Sequence, residues 1–318
     1  MIGSSRSHIW FVAPAIVLMI VILIVPVFVA AALSFTDYNL GNPGFNWVGW
    51  KNYESLTKYS SYKKMFIASL TYVVIVVPVS VALGLGAAML ISSLRFGGEM
   101  YKAVFFLPVM ATLLAMAIVW EFALHPVVGV VNDVLRSGCD VGWVHAALTG
   151  SWLGFDPAAS WYGSSCTEDF PVWFGDKKYA MGAIAFIGIW QAFGFNMVLY
   201  LAGLTSVPRE LYSAAEMDGA SSAWERFRLV TWPMLGPTHV FVVTITSIRS
   251  FQVFDTVEAL TRGGPSKSTY VMVYAIFEKG VKQNLLGIGS AITVVFLAFV
   301  LVLTITQVYF VNRRVHYS

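Results

Sequence analysis

The sequence predicts an all-α membrane protein with six transmembrane helices, on three observations. Hydrophobic residues make up 58% of the chain and charged residues only 12%, the balance of a multispanning membrane protein rather than a water-soluble domain. Six apolar runs, at 9–33, 65–91, 103–124, 179–203, 239–255 and 286–310, are each long enough to cross a hydrocarbon core about 30 Å thick. The connector after the first run gathers turn residues together with Trp47, Trp50 and Tyr53, side chains that favour a membrane–water interface.

The first run follows the short polar opening MIGSSRSH and is too long for the apolar core of a cleavable signal, which spans about 7–15 residues. It is expected to remain as a span, kinked at Pro14 and Pro26. Glycines in the second run, the ALGLGAA of residues 82–88, fit close helix packing through small residues. The interval 125–178 contains turn signals, Cys139 and Cys166 but no continuous span, so it reads as an extended region outside the bilayer core. All the runs together form one transmembrane domain over 1–318.

Several function classes drop out. A net charge of +3 without a basic run gives nucleic acid nothing to bind. Two cysteines cannot build a disulfide scaffold or a four-cysteine zinc site, and the five histidines never reach metal-ligand spacing; no metal site is expected. The phosphate-cradling G-x-x-x-x-G-K-[ST] loop does not occur, so ATP, if it is the energy source, is hydrolysed by another chain. A secondary carrier, the alternative reading, would be expected to show repeats and midplane ionisable relays, and the sequence shows neither.

The polar insert from Pro208 to Pro237, between the fourth and fifth runs, has internal order. Pro208 and Glu210 suit the start of a short helix, which stops at the turn dipeptide Asp218-Gly219. A second helix restarts at Ser222, with Glu225 at capping-box spacing, and Trp224, Phe227 and Val230 make an apolar stripe. The unit is either an amphipathic inter-helix loop or an element that docks into a groove on another protein.

The same residues carry a resemblance. Ala214-Ala215, Asp218-Gly219-Ala220, Phe227 and Val230-Thr231-Trp232-Pro233 resemble the EAA motif of permease subunits of binding-protein-dependent ABC importers. Ser213 stands in the place of the motif's glutamate, and Val230 and Trp232 replace its isoleucine and leucine. Trp120, Pro126, Gly129 and Asn132, the stretch from Gly188 to Ala220, and SFQVFDTVEALTRGGPSKST over 250–269 are similar to the carbohydrate-uptake group, typified by the maltose and glycerol-phosphate permeases. The interval from Asn132 to Pro171 is longer than that pattern.

The resemblance implies a type I ABC importer permease fold with a cytoplasmic coupling helix, in the inner membrane, both termini cytoplasmic and 125–178 periplasmic. It implies no catalysis and no cofactor in this chain, with ATP and Mg on an ABC ATPase dimer. The further partners implied are a second homologous permease subunit, a periplasmic solute-binding protein and the lipid bilayer. Coupling to the ATPase would fall on Ala214, Ala215, Asp218, Gly219, Ala220, Trp224, Phe227 and Pro233. Positions that touch sugar in the maltose permease correspond to Gly188, Gln191, Ala192, Phe195, Arg249, Ser250 and Val253.

Sugar passage calls for aromatic faces and neutral hydrogen-bonding groups, and the fourth run supplies Gln191, Phe195 and Asn196 among others. Gln191 and Asn196 serve equally well as bonds between helices. An arginine inside a span costs about 2.5–3.5 kcal/mol on insertion scales and faces a cavity or a partner. Arg249 therefore either pairs with Asp255 or Glu121, or binds an acidic group on the substrate, such as a sulfonate, phosphate or uronate. On the oxidising side of a membrane Cys139 and Cys166 favour a disulfide; two free buried thiols are the alternative.

Overall fold

The computed structural model describes residues 7–94, 96–139 and 171–312. By internal contacts the chain divides into two compact units, one of Met1–Met65 with Met272–Leu303, the other of Phe66–Val271 with Thr304–Ser318. Among the described residues, five segments are helical, long and apolar enough to cross a membrane: Val12–Leu33, Ser60–Ser93, Ala180–Thr205, Gly236–Leu260 and Leu286–Gln307.

In the first unit, α1 (Ser7–Met19) passes through a π-helical turn, Ile20–Ile24, into α2 (Val25–Leu33). The turn is what Pro26 makes of an expected kink. A proline lacks the N–H and its ring crowds the carbonyl four residues back. The Val25 N–H instead reaches back to the Ile20 carbonyl, and the helix continues through the widened turn. Beyond α2, the Asn52 side chain donates to the carbonyls of Ser34 and Thr36 at 2.8 Å each, which pins the loop to α3 (Lys51–Lys58). The same loop meets the far end of the unit. The Leu40 N–H donates to Asn284, the Gly287 N–H to Tyr38, both at 2.9 Å, and a Cβ on Gly287 would run into the Thr36 carbonyl oxygen.

The second unit holds most of α4 (Ser60–Ser93), then α5 (Gly98–Met110), α6 (Leu113–Ala123), α7 (Val130–Cys139) and α8 (Ala180–Thr205). The polar segment 208–237 follows as α9 (Arg209–Met217), α10 (Ala223–Arg226), a π turn over Phe227–Thr231 and α11 (Trp232–Met234); then come α12 (Gly236–Phe251) and α13 (Asp255–Leu260). Among the described residues the rest of the helical structure is α14 (Met272–Phe277), a π turn over Glu278–Lys282 and α15 (Leu286–Asn312).

Where a continuous third span is expected over 103–124, the chain makes α5 and α6, bent by 100°. Hydropathy does not report backbone dihedrals. Ala111 and Thr112 are both extended, with ψ near 140°, just after Pro108 inside α5. The fifth span is interrupted too: α12 ends at Phe251, and the chain turns through Gln252–Phe254 before α13 begins.

Helix α8 is the axis of this unit, and its glycines set how closely the other helices approach. A Cβ on Gly194 would strike the Phe105 carbonyl oxygen of α5, and one on Gly203 would lie 2.6 Å from the Thr238 hydroxyl of α12. From α4, a Cβ on Gly84 would lie 2.7 Å from the Asn196 Cβ. Small residues let backbones meet, which is how helices gain packing where lipid offers no hydrophobic drive.

Asn132, completely buried, donates to the Pro126 carbonyl at 3.0 Å and accepts from the Trp173 indole N–H at 2.8 Å. It closes the chain on either side of 140–170. The expected Cys139–Cys166 pairing lies outside the described residues, because Cys166 belongs to that interval.

Candidate functional site

A cavity of about 330 Å³ lies among α4, α8 and the α12–α13 break. All eight residues expected along a substrate path line it: Gly188, Gln191, Ala192, Phe195, Asn196, Arg249, Ser250 and Val253. Gly188, Gln191, Ala192 and Phe195 follow a spacing of three, four and seven, so they share one face of α8. Arg249 and Ser250 end α12, while Val253 belongs to the unwound segment. Non-helical backbone at membrane depth is tolerated where it lines a cavity rather than facing lipid, and Gln252, Val253 and Phe254 all line this one.

The guanidinium of Arg249 lies over the Phe195 ring, 4.0 Å from its centroid. Among the described residues it forms an ion pair with neither Asp255 nor Glu121, although Asp255 borders the same cavity. What holds the charge is the ring face and the C-terminal end of α12, where a cation is favoured. Its donor fork stays open to the cavity.

Asn196 is fully buried and ties three helices together. Its side-chain oxygen accepts from the Thr246 hydroxyl at 2.7 Å, and its amide donates to Ser80 at 3.3 Å. It borders the cavity with its hydrogen-bonding capacity largely committed. Tyr72, Val76 and Val109 also line the wall, and nothing in their apolar runs marks them; only a helical period for Tyr72 and Val76, four apart, puts those two on one face.

A second constellation is the polar segment 208–237. The α9 helix ends in a Schellman motif. Gly219 has φ +98°, the Ala220 N–H reaches the Ala215 carbonyl at 2.9 Å, and the Gly219 N–H reaches Glu216 at 3.1 Å. Asp218-Gly219-Ala220 thus has a local reason: a left-handed residue that glycine supplies without strain, followed by a buried alanine. Ser222 and Glu225 form a reciprocal capping box, with bonds of 3.0 and 3.1 Å. That bond set, led by the Ser222 N–H, holds the Glu225 carboxyl below its ordinary pKa.

An ion pair between Arg226 and Glu216 joins α10 to α9, and Tyr212 bonds Thr231 at 3.0 Å. Ala214, Asp218, Gly219 and Pro233 are exposed, Ala215 and Phe227 half-buried. Trp224 is 68% exposed and Met217 89%, apolar surface of the kind that marks a contact site. From Trp224 a chain of ring contacts runs inward: to Phe227 at 5.3 Å, on to Trp232 at 5.8 Å, then His239 at 5.0 Å. Tyr200, on the cavity-lining helix α8, completes it.

Residues 58–316 match the family described as binding-protein-dependent transport system inner membrane component. The chain belongs to this family. A probable starch degradation products transport system permease protein, AmyD of Thermoanaerobacterium thermosulfurigenes, is 26% identical over 97% of this chain and 96% of its own. The sulfoquinovosyl glycerol transport system permease protein SmoG of Agrobacterium fabrum is 30% identical over 97% and 90%. The sn-glycerol-3-phosphate transport system permease protein UgpA of the same organism is 26% identical over 96% and 95%. Among solved structures, a chain of a bacterial alginate ABC transporter in complex with an alginate pentasaccharide-bound periplasmic protein superposes with a TM-score of 0.76 at 19% identity, covering 98% of this chain and 97% of the other. The fold is therefore that of an ABC importer permease.

Proposed function

We propose that this chain is the transmembrane subunit of an ATP-driven importer for an anionic sugar or sugar derivative. It would sit in the inner membrane with both termini cytoplasmic. A second permease subunit, an ABC ATPase dimer and a periplasmic binding protein would complete the complex. The observation that carries the substrate reading is Arg249, stacked on Phe195 in a cavity with no carboxylate partner among the described residues. An arginine fork left open there suits a pair of oxygens on a carboxylate, sulfonate or phosphate. Three names among the similar proteins, sulfoquinovosyl glycerol, sn-glycerol 3-phosphate and alginate, belong to anionic substrates and support it; the starch degradation products of AmyD support only the wider sugar class.

In this reading the segment from Ala214 through Pro233 seats in the ATPase, with Trp224 and Met217 as apolar anchors. ATP-driven closure moves the segment as a rigid body. The α8 and α12 helices follow, and the cavity changes the side to which it opens.

The test is uptake by proteoliposomes holding the complete importer, with its own ATPase and binding protein, offered maltose and a mannuronate disaccharide. Uptake of the uronate should require ATP and survive collapse of the proton gradient. Arg249→Gln should lower uronate uptake at least tenfold while membrane level and ATP hydrolysis stay normal. Equal uronate uptake by this variant and the wild type sinks the anionic reading, and uptake driven by the proton gradient without ATP sinks the importer reading.

A further inference from the structure

Gly188 is an expected sugar-contacting position with no side chain to offer, and the structure shows what stands there. A Cβ on Gly188 would run into the Tyr72 hydroxyl and come within 3.0 Å of Cζ of the same ring. The phenol of α4 therefore occupies the volume that a side chain at 188 would fill, and both residues line the cavity.

Tyr72 is 5% exposed, so the ring is desolvated. Among the described residues its hydroxyl makes no hydrogen bond, yet its oxygen is not among the fully enclosed atoms that lack one, such as the Trp120 indole nitrogen. Tyr72 lines the cavity, and that is the side from which a partner can reach the oxygen. A buried phenol ordinarily satisfies its O–H, and leaving the donor unmade is costly. Asn196 and Thr246, which share the lining, satisfy each other and do not supply the partner. A hydroxyl-bearing solute in the cavity would.

We infer that Tyr72 is a substrate-orienting residue, its hydroxyl bonding a sugar hydroxyl, and that Gly188 is the clearance this phenol requires. The inference rests on the importer reading above. It also sets a size for the solute. Tyr72 sits at the level of Gly188 and Arg249 at that of Phe195, seven residues further along α8, which at 1.5 Å per residue is about 10 Å. That separation exceeds one pyranose ring. The two points together suit an acidic disaccharide or an acidic glycoside better than a single acidic sugar.

The experiment uses the same complete importer in proteoliposomes, with the mannuronate disaccharide, glucuronate and maltose as probes. Tyr72→Phe, which keeps the ring, should raise the apparent KM for the disaccharide about three- to tenfold, the worth of one neutral hydrogen bond. Maximal uptake rate and ATP hydrolysis should not change, and KM for glucuronate should not move. Gly188→Ala should raise KM similarly by displacing the phenol, and the double variant should be no worse than Tyr72→Phe alone, because losing the hydroxyl removes the severe clash and leaves the added methyl 3.0 Å from Cζ, a contact that a small shift of the ring relieves. An unchanged disaccharide and maltose KM in Tyr72→Phe overturns the assignment. So does a parallel fall in membrane level, maximal rate and ATP hydrolysis, which would make Tyr72 a packing residue. Failure of the wild type to take up any of the three probes would instead overturn the importer reading; maltose uptake alone would overturn its anionic part and leave the Tyr72 comparison to be read on maltose.

Discussion

The Tyr200 hydroxyl lies 2.6 Å from Nδ1 of His239, joining the cavity-lining helix α8 to the first turns of α12. Tyr200 is completely buried, and the same imidazole also meets Trp232, 5.0 Å away between ring centroids. Tyr200→Phe keeps the ring and leaves a ring nitrogen without its partner. The expected loss is about 1 kcal/mol, between the average for hydrogen bonds inside membranes and the cost of an unmade buried bond. Unfolding in a graded detergent mixture measures it, and a variant as stable as the wild type would show that the short contact contributes nothing.

Asn196 should behave as a three-helix clamp. Replacing it by alanine removes bonds to both Thr246 and Ser80, and Thr246→Val removes only one. A double-mutant cycle across Asn196 and Thr246 should give a coupling of about 0.6 kcal/mol, with roughly 1.7 as the upper end seen for such pairs in membranes. Zero coupling would mean that the two side chains separate in the membrane-embedded protein.

These contacts mark the limit of what the sequence discloses. Features that depend on neighbours along the chain are legible in it: the Ser222 and Glu225 spacing, the Asp218-Gly219 stop, and Pro26 beside the π turn that joins α1 to α2. Features that depend on the register of one helix against another are not. Tyr72 is an ordinary member of an apolar run until α4 is laid on α8 at Gly188. The sequence allows Arg249 an ion pair with Asp255 or Glu121, and only the course of the chain through Gln252–Phe254 shows a ring face instead of a carboxylate. The break after Met110 is hidden for a related reason, since Pro108 announces a bend without saying that Ala111 and Thr112 become extended.

The two glycines of the ALGLGAA stretch look equivalent in sequence and should not respond alike. At Gly84 a Cβ would meet Asn196 at 2.7 Å and the Met197 backbone nitrogen at 3.0 Å. Nothing lies within 4 Å of one at Gly86. Gly84→Ala should therefore destabilise by about 1–3 kcal/mol, as overpacking does. Gly86→Ala should be neutral or stabilise by up to about 1 kcal/mol through better helix propensity. Purified stability of the two variants, compared side by side, decides it, and similar losses at both sites would place the α4–α8 contact elsewhere.

The polar segment 208–237 carries a pH dependence whose sign follows from the capping box. The Ser222 N–H bonds the Glu225 carboxylate, and the Glu225 N–H bonds the Ser222 hydroxyl, at 3.0 and 3.1 Å. The carboxyl's pKa is lowered in the folded protein, first by the Ser222 backbone and then by its side chain. Its contribution to local order is thus fully present above the unfolded glutamate value of about 4.3 and is lost as pH falls through the lower folded value. Amide exchange over 222–226, corrected for its intrinsic pH dependence, should be unchanged between pH 7 and 5 and should accelerate below about 4. Glu225→Gln should abolish that acid-dependent step. Ser222→Ala should speed exchange roughly fivefold already at neutral pH, the effect of losing one N-cap. Exchange that accelerates to the same extent in acid with glutamine at 225 would assign the pH response to another group and leave the box with a purely geometric role.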